Sequence, residues 1–395
     1  MRISSNTYQL QWLASIQRQQ AALATTQQQV STGKRINTAA DDPAGAAQGI
    51  LLQQGLDRLE NFSANSETAR RRLSLEESSL SQATDTLNRV RELAVQAANG
   101  TQTTESRSAI AAEASELLTG LLNVANSQDG EGRYLFAGNS VQSRPFVLSG
   151  SVTYVGDAGT RSQRVADARS VQEGDPGSTV FMQVPAGNGA FTITGSGTNQ
   201  GTASWSSATA ASGAAFVPGD YTLEFTSPTT WEARTTSGVV ASGSYAPGES
   251  ISFQGATIEF QGTPATGDKF AVAPSRFQDM FKTVQDFITA LGTNTNTPAG
   301  RATFQNALNS NLENLDQGLQ KLSNVRSQVG SRLATIDQQV ENNADVKVEL
   351  AKSLSTIRDL DYSTAISKLE QQLTSLEAAQ KAYARTRSYS LFDVL

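Results

Sequence analysis

The chain has 395 residues, 38% of them hydrophobic and only 7% aromatic, and a net charge of −6. That length accommodates two or three domains, and the acidic balance argues against DNA or RNA as the main partner. There is no Cys and no His, which removes the Ser-His-Asp triad, the HExxH zinc site and thiol nucleophiles together.

Neither a catalytic metal nor a cofactor is therefore expected. No stretch approaches the ~20 apolar residues of a membrane span, so no membrane partner is expected either. Residues 1–8 lack a continuous apolar run and do not read as a secretory signal.

From the N-terminus, Leu13, Ile16, Leu23 and Val30 fall on one helical face, with Gln20 and Gln27 on the same seam. A seam with two polar members is a weak core for an isolated helix and suits packing inside an assembly. The helix is expected to stop at Thr32-Gly33, where Gly takes the left-handed terminal position. A polar loop then ends in Asp41-Asp42-Pro43, with Asp42 as cap and Pro43 opening the next helix.

In that second helix Leu73, Leu80, Leu87 and Ala94 repeat every seven residues, with Ala83, Val90 and Ala97 between them. This is a coiled-coil seam. Asn99-Gly100 ends it, and Thr103 or Thr104 caps a third helix.

From about 134 to 273 the pattern changes. Gly, Ser, Thr and Pro punctuate short alternating runs such as Tyr221-Thr222-Leu223-Glu224-Phe225, which read as strands joined by turns. The middle of this region, near 195–215, is expected to be a mobile loop.

Helical periodicity returns at Phe277. One long seam runs through Leu308, Leu315, Leu322, Val329 and Ile336 to Val340. A last helix carries Ile366, Leu369, Leu373, Leu376 and Tyr383 on one face. The fold class is mainly α with an inserted β domain. Both termini form a long antiparallel coiled-coil or helical-bundle rod, and the β-rich part is a small outer domain.

Several site readings compete with structural ones. Gly33-Lys34 is the core of a P-loop, but Gln28 and Arg35 stand where the motif needs Gly and Ser/Thr; a helix stop is the better reading. Asp41-Asp42 and Asp359 with Asp361 read as caps rather than as a cation or acid–base site. Arg70, Arg71 and Arg72 read as a solvated helix face rather than as phosphate contacts. Tyr383, Tyr389 and Phe392 are either surface residues or subunit contacts.

Three stretches resemble the bacterial flagellin family. Residues 31–45 (STGKRINTAADDPAG) resemble its N-terminal signature. Residues 94–101, followed by Arg107, Ile110, Glu113, Leu117 and Leu118, resemble the next block. Ile357-Arg358-Asp359-Leu360-Asp361-Tyr362 with the terminal helix resembles the C-terminal block. Within the family, Arg133, Tyr134, Leu135, Phe136 and Gly138, and the stretch 262–270, are similar to the hook-associated branch that forms the junction between hook and filament.

The resemblance implies three regions. Residues 1–40 and 360–395 would be terminal helices of an inner tube, disordered in the monomer. Residues 41–135 and 274–359 would form the helical rod domain, and 136–273 the β-rich insert. It implies a self-assembling, non-catalytic adaptor that packs with copies of itself as a ring layer through Leu13, Ile16, Leu23, Val30, Ile366, Leu369, Leu373, Leu376 and Tyr383. Another hook-associated protein would lie on the hook side and flagellin on the filament side, and a cytoplasmic export chaperone would cover the C-terminal helix. Export through the flagellar type III channel would place the protein outside the cell, on the bacterial flagellum. The alternatives are a filament flagellin with an unusual insert and, from another class, a secreted glycan-binding or enzymatic module in the β insert. In the last reading Trp205, Trp231 and Tyr221 would stack on sugar; core or surface packing is the preferred assignment for the same three residues.

Overall fold

The computed structural model describes residues 5–210 and 215–388. Among these are six α-helices: α1 (Ser5–Thr32), α2 (Pro43–Ala97), α3 (Thr104–Ala125), α4 (Met280–Leu291), α5 (Pro298–Arg358) and α6 (Tyr362–Ser388). All strands lie between α3 and α4, so the expected class, helical ends with an inserted β region, is what the chain adopts.

The helix boundaries follow local chemistry. After α1, Gly33 takes φ +69°, a conformation that disfavours residues with a β-carbon. Asp42 accepts the N–H of Gly45 at 2.9 Å and Pro43 opens α2. Thr103 accepts the N–H of Ser106 and caps α3. Asp279 does the same for Lys282 at the start of α4. Each side-chain oxygen satisfies a backbone donor that has no partner inside the helix.

The chain divides into two compact units. One comprises Met1–Ala64 and Gln339–Leu395. Here α1 packs on α6, and the start of α2 lies against the end of α5, with Gly49 beside Leu354 and Gly55 beside Leu350. The buried face of α1 departs from the expected seam. Ile16 and Leu23 are buried, but Gln20 and Gln27 point outward and Thr26 is buried in their place. Thr26 tolerates this because its hydroxyl donates back to the carbonyl of Ala22 at 3.0 Å, leaving no unsatisfied donor.

The second unit is Asn65–Gln338. The expected heptads form its helical core: Leu73, Leu80, Leu87 and Ala94 of α2 are buried, as are Leu308, Leu315, Leu322, Val329 and Ile336 of α5. The ion pairs Arg326–Glu77 and Arg91–Asp316 show that α2 and α5 run antiparallel here.

The strands of this unit include a five-stranded antiparallel sheet with the spatial order Gly238–Ser244, Thr230–Thr235, Tyr221–Ser227, Lys269–Pro274 and Phe191–Gly195. A three-stranded sheet runs Ser250–Phe253, Ala256–Gln261 and Ser204–Ala210. Their apolar faces interlock through edge-on aromatic contacts, Phe225 with Phe260 at 5.6 Å and Tyr221 with Phe253 at 5.6 Å.

One expectation is corrected in this region. The segment near 195–215 is not simply a loop, because Ser204–Ala210 pairs with Ala256–Gln261 as a strand. Its short polar side chains hid the alternation that usually reveals a strand. Trp205, Trp231 and Tyr221 are buried in the aromatic core and have no face free to stack on sugar.

Candidate functional site

Two of the motifs singled out in the sequence meet in the first unit. The loop after α1 and the turn between α5 and α6 are joined by backbone hydrogen bonds, from Arg35 N–H to Arg358 C=O at 2.7 Å and from Leu360 N–H to Gly33 C=O at 3.0 Å. Lys34 and Asp359 form an antiparallel bridge. Arg35 adds two charge-assisted bonds, its Nε and Nη2 both donating to the carbonyl of Ile357 at 3.1 and 2.7 Å. That carbonyl belongs to the last turn of α5, where the C=O groups have no partner along the helix and carry partial negative charge.

Three of the four aspartates of these motifs serve the backbone with their carboxylates. Asp41 accepts the N–H groups of Thr38 and Asn37, which hold its carboxyl below the usual range. Asp42 caps α2 and pairs with Arg35 at 3.3 Å. Asp361 accepts from the Thr364 hydroxyl and from the N–H groups of Thr364 and Ser363, which lower its carboxyl in the same way. Asp359, also expected as a cap, instead joins the bridge to Lys34 through its backbone, and its carboxylate lies 4.0 Å from Arg358 Nε. Among the described residues no three His, Cys, Asp or Glu side chains cluster as a metal site. Among the described residues no helix is long and apolar enough to cross a membrane.

The candidate packing residues of this unit divide by exposure. Ile16 and Leu23 are buried and Val30 half-buried, whereas Leu13 is exposed. On α6, Leu369, Leu376 and Tyr383 are half-buried, but Ile366 and Leu373 are each 45% exposed. Leu10 and Leu13 of α1 and Ile50 and Leu51 of α2 are exposed as well. Tyr389 and Phe392 lie outside the described residues.

The stretch 133–138 belongs to the second unit and works as a clasp. Asp129 accepts from Arg133, through both its N–H and its Nε. It also accepts from Arg72 Nη1 at 3.2 Å. Arg72 Nη2 in turn holds the carbonyl of Tyr134. Leu135 and Phe136 are buried, and Phe136 packs edge-on against Phe181 at 5.1 Å. The carbonyl of Phe136 accepts from Tyr154 Oη and from the N–H of Gly177. Gly138 adopts φ +67°, and a β-carbon there would collide with the carbonyl of Asp157.

Around this clasp lies a charged cluster that the sequence did not reveal. Arg70 and Arg71 are exposed and pair with Glu67, but Arg72 is 5% exposed, so the reading of all three as a solvated face fails at that residue. Glu173, held by Arg161 and Arg72, and Asp129, held by Arg133, are both depressed below their usual range; burial opposes the shift and these bonds outweigh it. Asp175 takes both arms of Arg332 at 2.7 and 3.0 Å and donates its N–H to Glu76 at 3.0 Å. Glu76 is 1% exposed; burial and the neighbouring Asp175 push its carboxyl up to about 8. The bonded partners are up to 157 residues apart, so no local pattern could have joined them.

The chain matches the bacterial flagellin N-terminal helical region over residues 3–141 and the bacterial flagellin C-terminal helical region over residues 312–395. It is 34% identical over 184 residues to flagellar hook-associated protein 3 of Salmonella typhimurium, covering 47% of this chain; the match spans 58% of that relative's own length. Among solved structures, FlgL of Xanthomonas campestris is 34% identical with a TM-score of 0.73, covering 77% of this chain and 99% of that one. The flagellar junction protein FlgL of Legionella pneumophila is 33% identical with a TM-score of 0.72, covering 79% and 99%.

Proposed function

We propose that this chain, which belongs to the bacterial flagellin family, is a structural adaptor that joins the flagellar hook to the filament. The likeness to the junction proteins carries this reading, because it covers 77% of this chain and 99% of the FlgL chain of Xanthomonas campestris. A filament flagellin is the competing assignment. The clasp built on Arg133, Tyr134, Leu135, Phe136 and Gly138 favours the junction reading, since those residues are the ones that resemble the hook-associated branch.

The mechanism is packing between subunits. Exposed apolar residues on α1, α2 and α6 stay in water in the single chain. Burying such a surface against neighbouring copies stabilises the assembly by roughly 25 cal/mol per Å2 of apolar area removed from water. Copies of the chain form a layer with another hook-associated protein on one side and flagellin on the other. The protein works outside the cell and reaches the flagellum through the flagellar export channel. Before export, a cytoplasmic chaperone covers the α6 stripe of Ile366, Leu369, Leu373 and Leu376, an aggregation hazard while unassembled.

Immunogold labelling of isolated hook–basal bodies tests this. Label confined to the distal end of the hook is the expected result, and label along the whole filament would move the assignment to filament flagellin.

A further inference from the structure

Two arginines of the second unit, Arg72 and Arg107, are each 5% exposed. A buried charge needs compensation, because removal from water costs several kcal/mol when no partner replaces the solvent. Arg72 has its compensation in Asp129 and Glu173. Arg107, near the start of α3, has no carboxylate within ion-pair distance among the described residues. Its Nη1 donates to the hydroxyl of Thr295 at 2.6 Å and its Nη2 reaches the carbonyl of Thr293 at 3.5 Å. Its Nε is buried without an acceptor, and Phe304 lies under its guanidinium carbon with the ring centroid 5.2 Å away.

Beside Arg107 is a cavity of about 330 Å3 between the loop from α2 to α3, the start of α5 and the edge of the β region. A second cation, Arg301, lines it, its Nη1 donating to the carbonyl of Thr295 at 3.2 Å. The remaining polar lining includes Asn99, Gln102, Ser204 and Gln305, and no Asp or Glu is among the lining residues. Two guanidinium groups, neutral donors and no competing carboxylate make an environment matched to a negatively charged oxygen group.

We propose that this cavity is a binding site for a small oxyanion, held by Arg107 at its base and Arg301 at its mouth. The occupant supplies the negative charge that Arg107 lacks within its own fold. Carboxylate and phosphate share this chemistry, and the cavity has room for a molecule of several heavy atoms. The site does not depend on the junction assignment, because none of its residues is an exposed apolar residue of α1, α2 or α6.

The test is calorimetric titration of the dilute full-length chain at constant ionic strength, with citrate in one arm and inorganic phosphate in the other. The expected result is saturable binding of at least one probe with a Kd of about 1 mM or tighter. Whichever probe binds more tightly identifies the class. Arg301→Glu replaces an exposed side chain, so it should keep the fold, verified by its melting curve, and weaken binding at least tenfold. Arg107→Gln should abolish binding; if this buried substitution unfolds the chain, Arg301→Glu alone decides. Absence of saturation with both probes up to about 10 mM would overturn the proposal. So would binding of equal strength in the wild type and Arg301→Glu.

Discussion

The hydroxyl of Tyr362 lies over Gly33 so closely that a β-carbon at Gly33 would sit 2.8 Å from it. Gly33 lies within the N-terminal motif and Tyr362 closes the C-terminal one, and they are 329 positions apart. The N-terminal signature and the C-terminal block are therefore two sides of one joint.

Gly33→Ala tests that joint. The residue has φ +69°, which costs about 1–2 kcal/mol for a residue with a β-carbon, and the contact with Tyr362 adds to it. Hydrogen exchange should accelerate at residues 33–36 and 357–362 while α3 and α4 keep their protection. Adding Tyr362→Phe should recover only part of the loss, since it relieves the contact and leaves the backbone strain. Complete recovery would mean that the backbone conformation carries no penalty.

Glu76 makes the second unit sensitive to alkali. Its folded carboxyl is pushed up to about 8 from an ordinary value of 4.5. A raised folded value means that the neutral form is favoured on folding. The stabilisation is complete below the unfolded value and disappears as pH rises towards 8. Glu76→Gln keeps an acceptor for the Asp175 N–H and removes the titration, so Tm should fall less between pH 5 and pH 9 than in the wild type. Glu313, pushed up to about 7 by burial and by Asp316, retains part of the slope. Asp129 and Glu173 act in the opposite sense, their contribution being lost as pH falls through their depressed folded values. An unchanged slope in Glu76→Gln would show that Glu76 is ionised at neutral pH.

Arg332→Ala should destabilise the chain strongly. It would leave the Asp175 carboxylate beside Glu76 without its cation, and because Arg332 is 19% exposed the cost should fall at the low end for a buried pair, about 3 kcal/mol. Urea unfolding should show a lower midpoint with little change in slope. Arg332→Ala with Asp175→Asn should be more stable than Arg332→Ala alone, because the unpaired charge is then absent. If the double variant is the less stable one, the unpaired charge on Asp175 is not what limits stability.

Leu373→Asp should separate folding from assembly. The side chain is 45% exposed, so stability of the single chain should change by no more than about 0.5 kcal/mol. Assembly would bury the new charge against a neighbouring copy without a partner, at a cost of several kcal/mol. Cells carrying this variant should export it, fail to swim and release flagellin into the medium. Attached, working filaments would remove Leu373 from the packing surface. Adding Leu369→Asp should also weaken chaperone capture, measured by co-purification from cytoplasm.

By itself the sequence determined what depends on neighbours a few residues away. The stops and starts at Gly33, Asp42-Pro43 and Thr103 were legible because a cap is satisfied within three residues. The heptads of α2 and α5 were legible because a buried stripe repeats with the helix period. Tertiary structure decided the rest. It rotated α1 so that Thr26, rather than Gln20 or Gln27, faces inward. It separated Arg72 from Arg70 and Arg71, and it turned Trp205, Trp231 and Tyr221 into core. It also brought Glu76, Asp175 and Arg332 together from three distant segments. Whether a polar or aromatic side chain is solvated, buried or paired depends on the dielectric and the partners around it. Those come from parts of the chain that no local pattern connects.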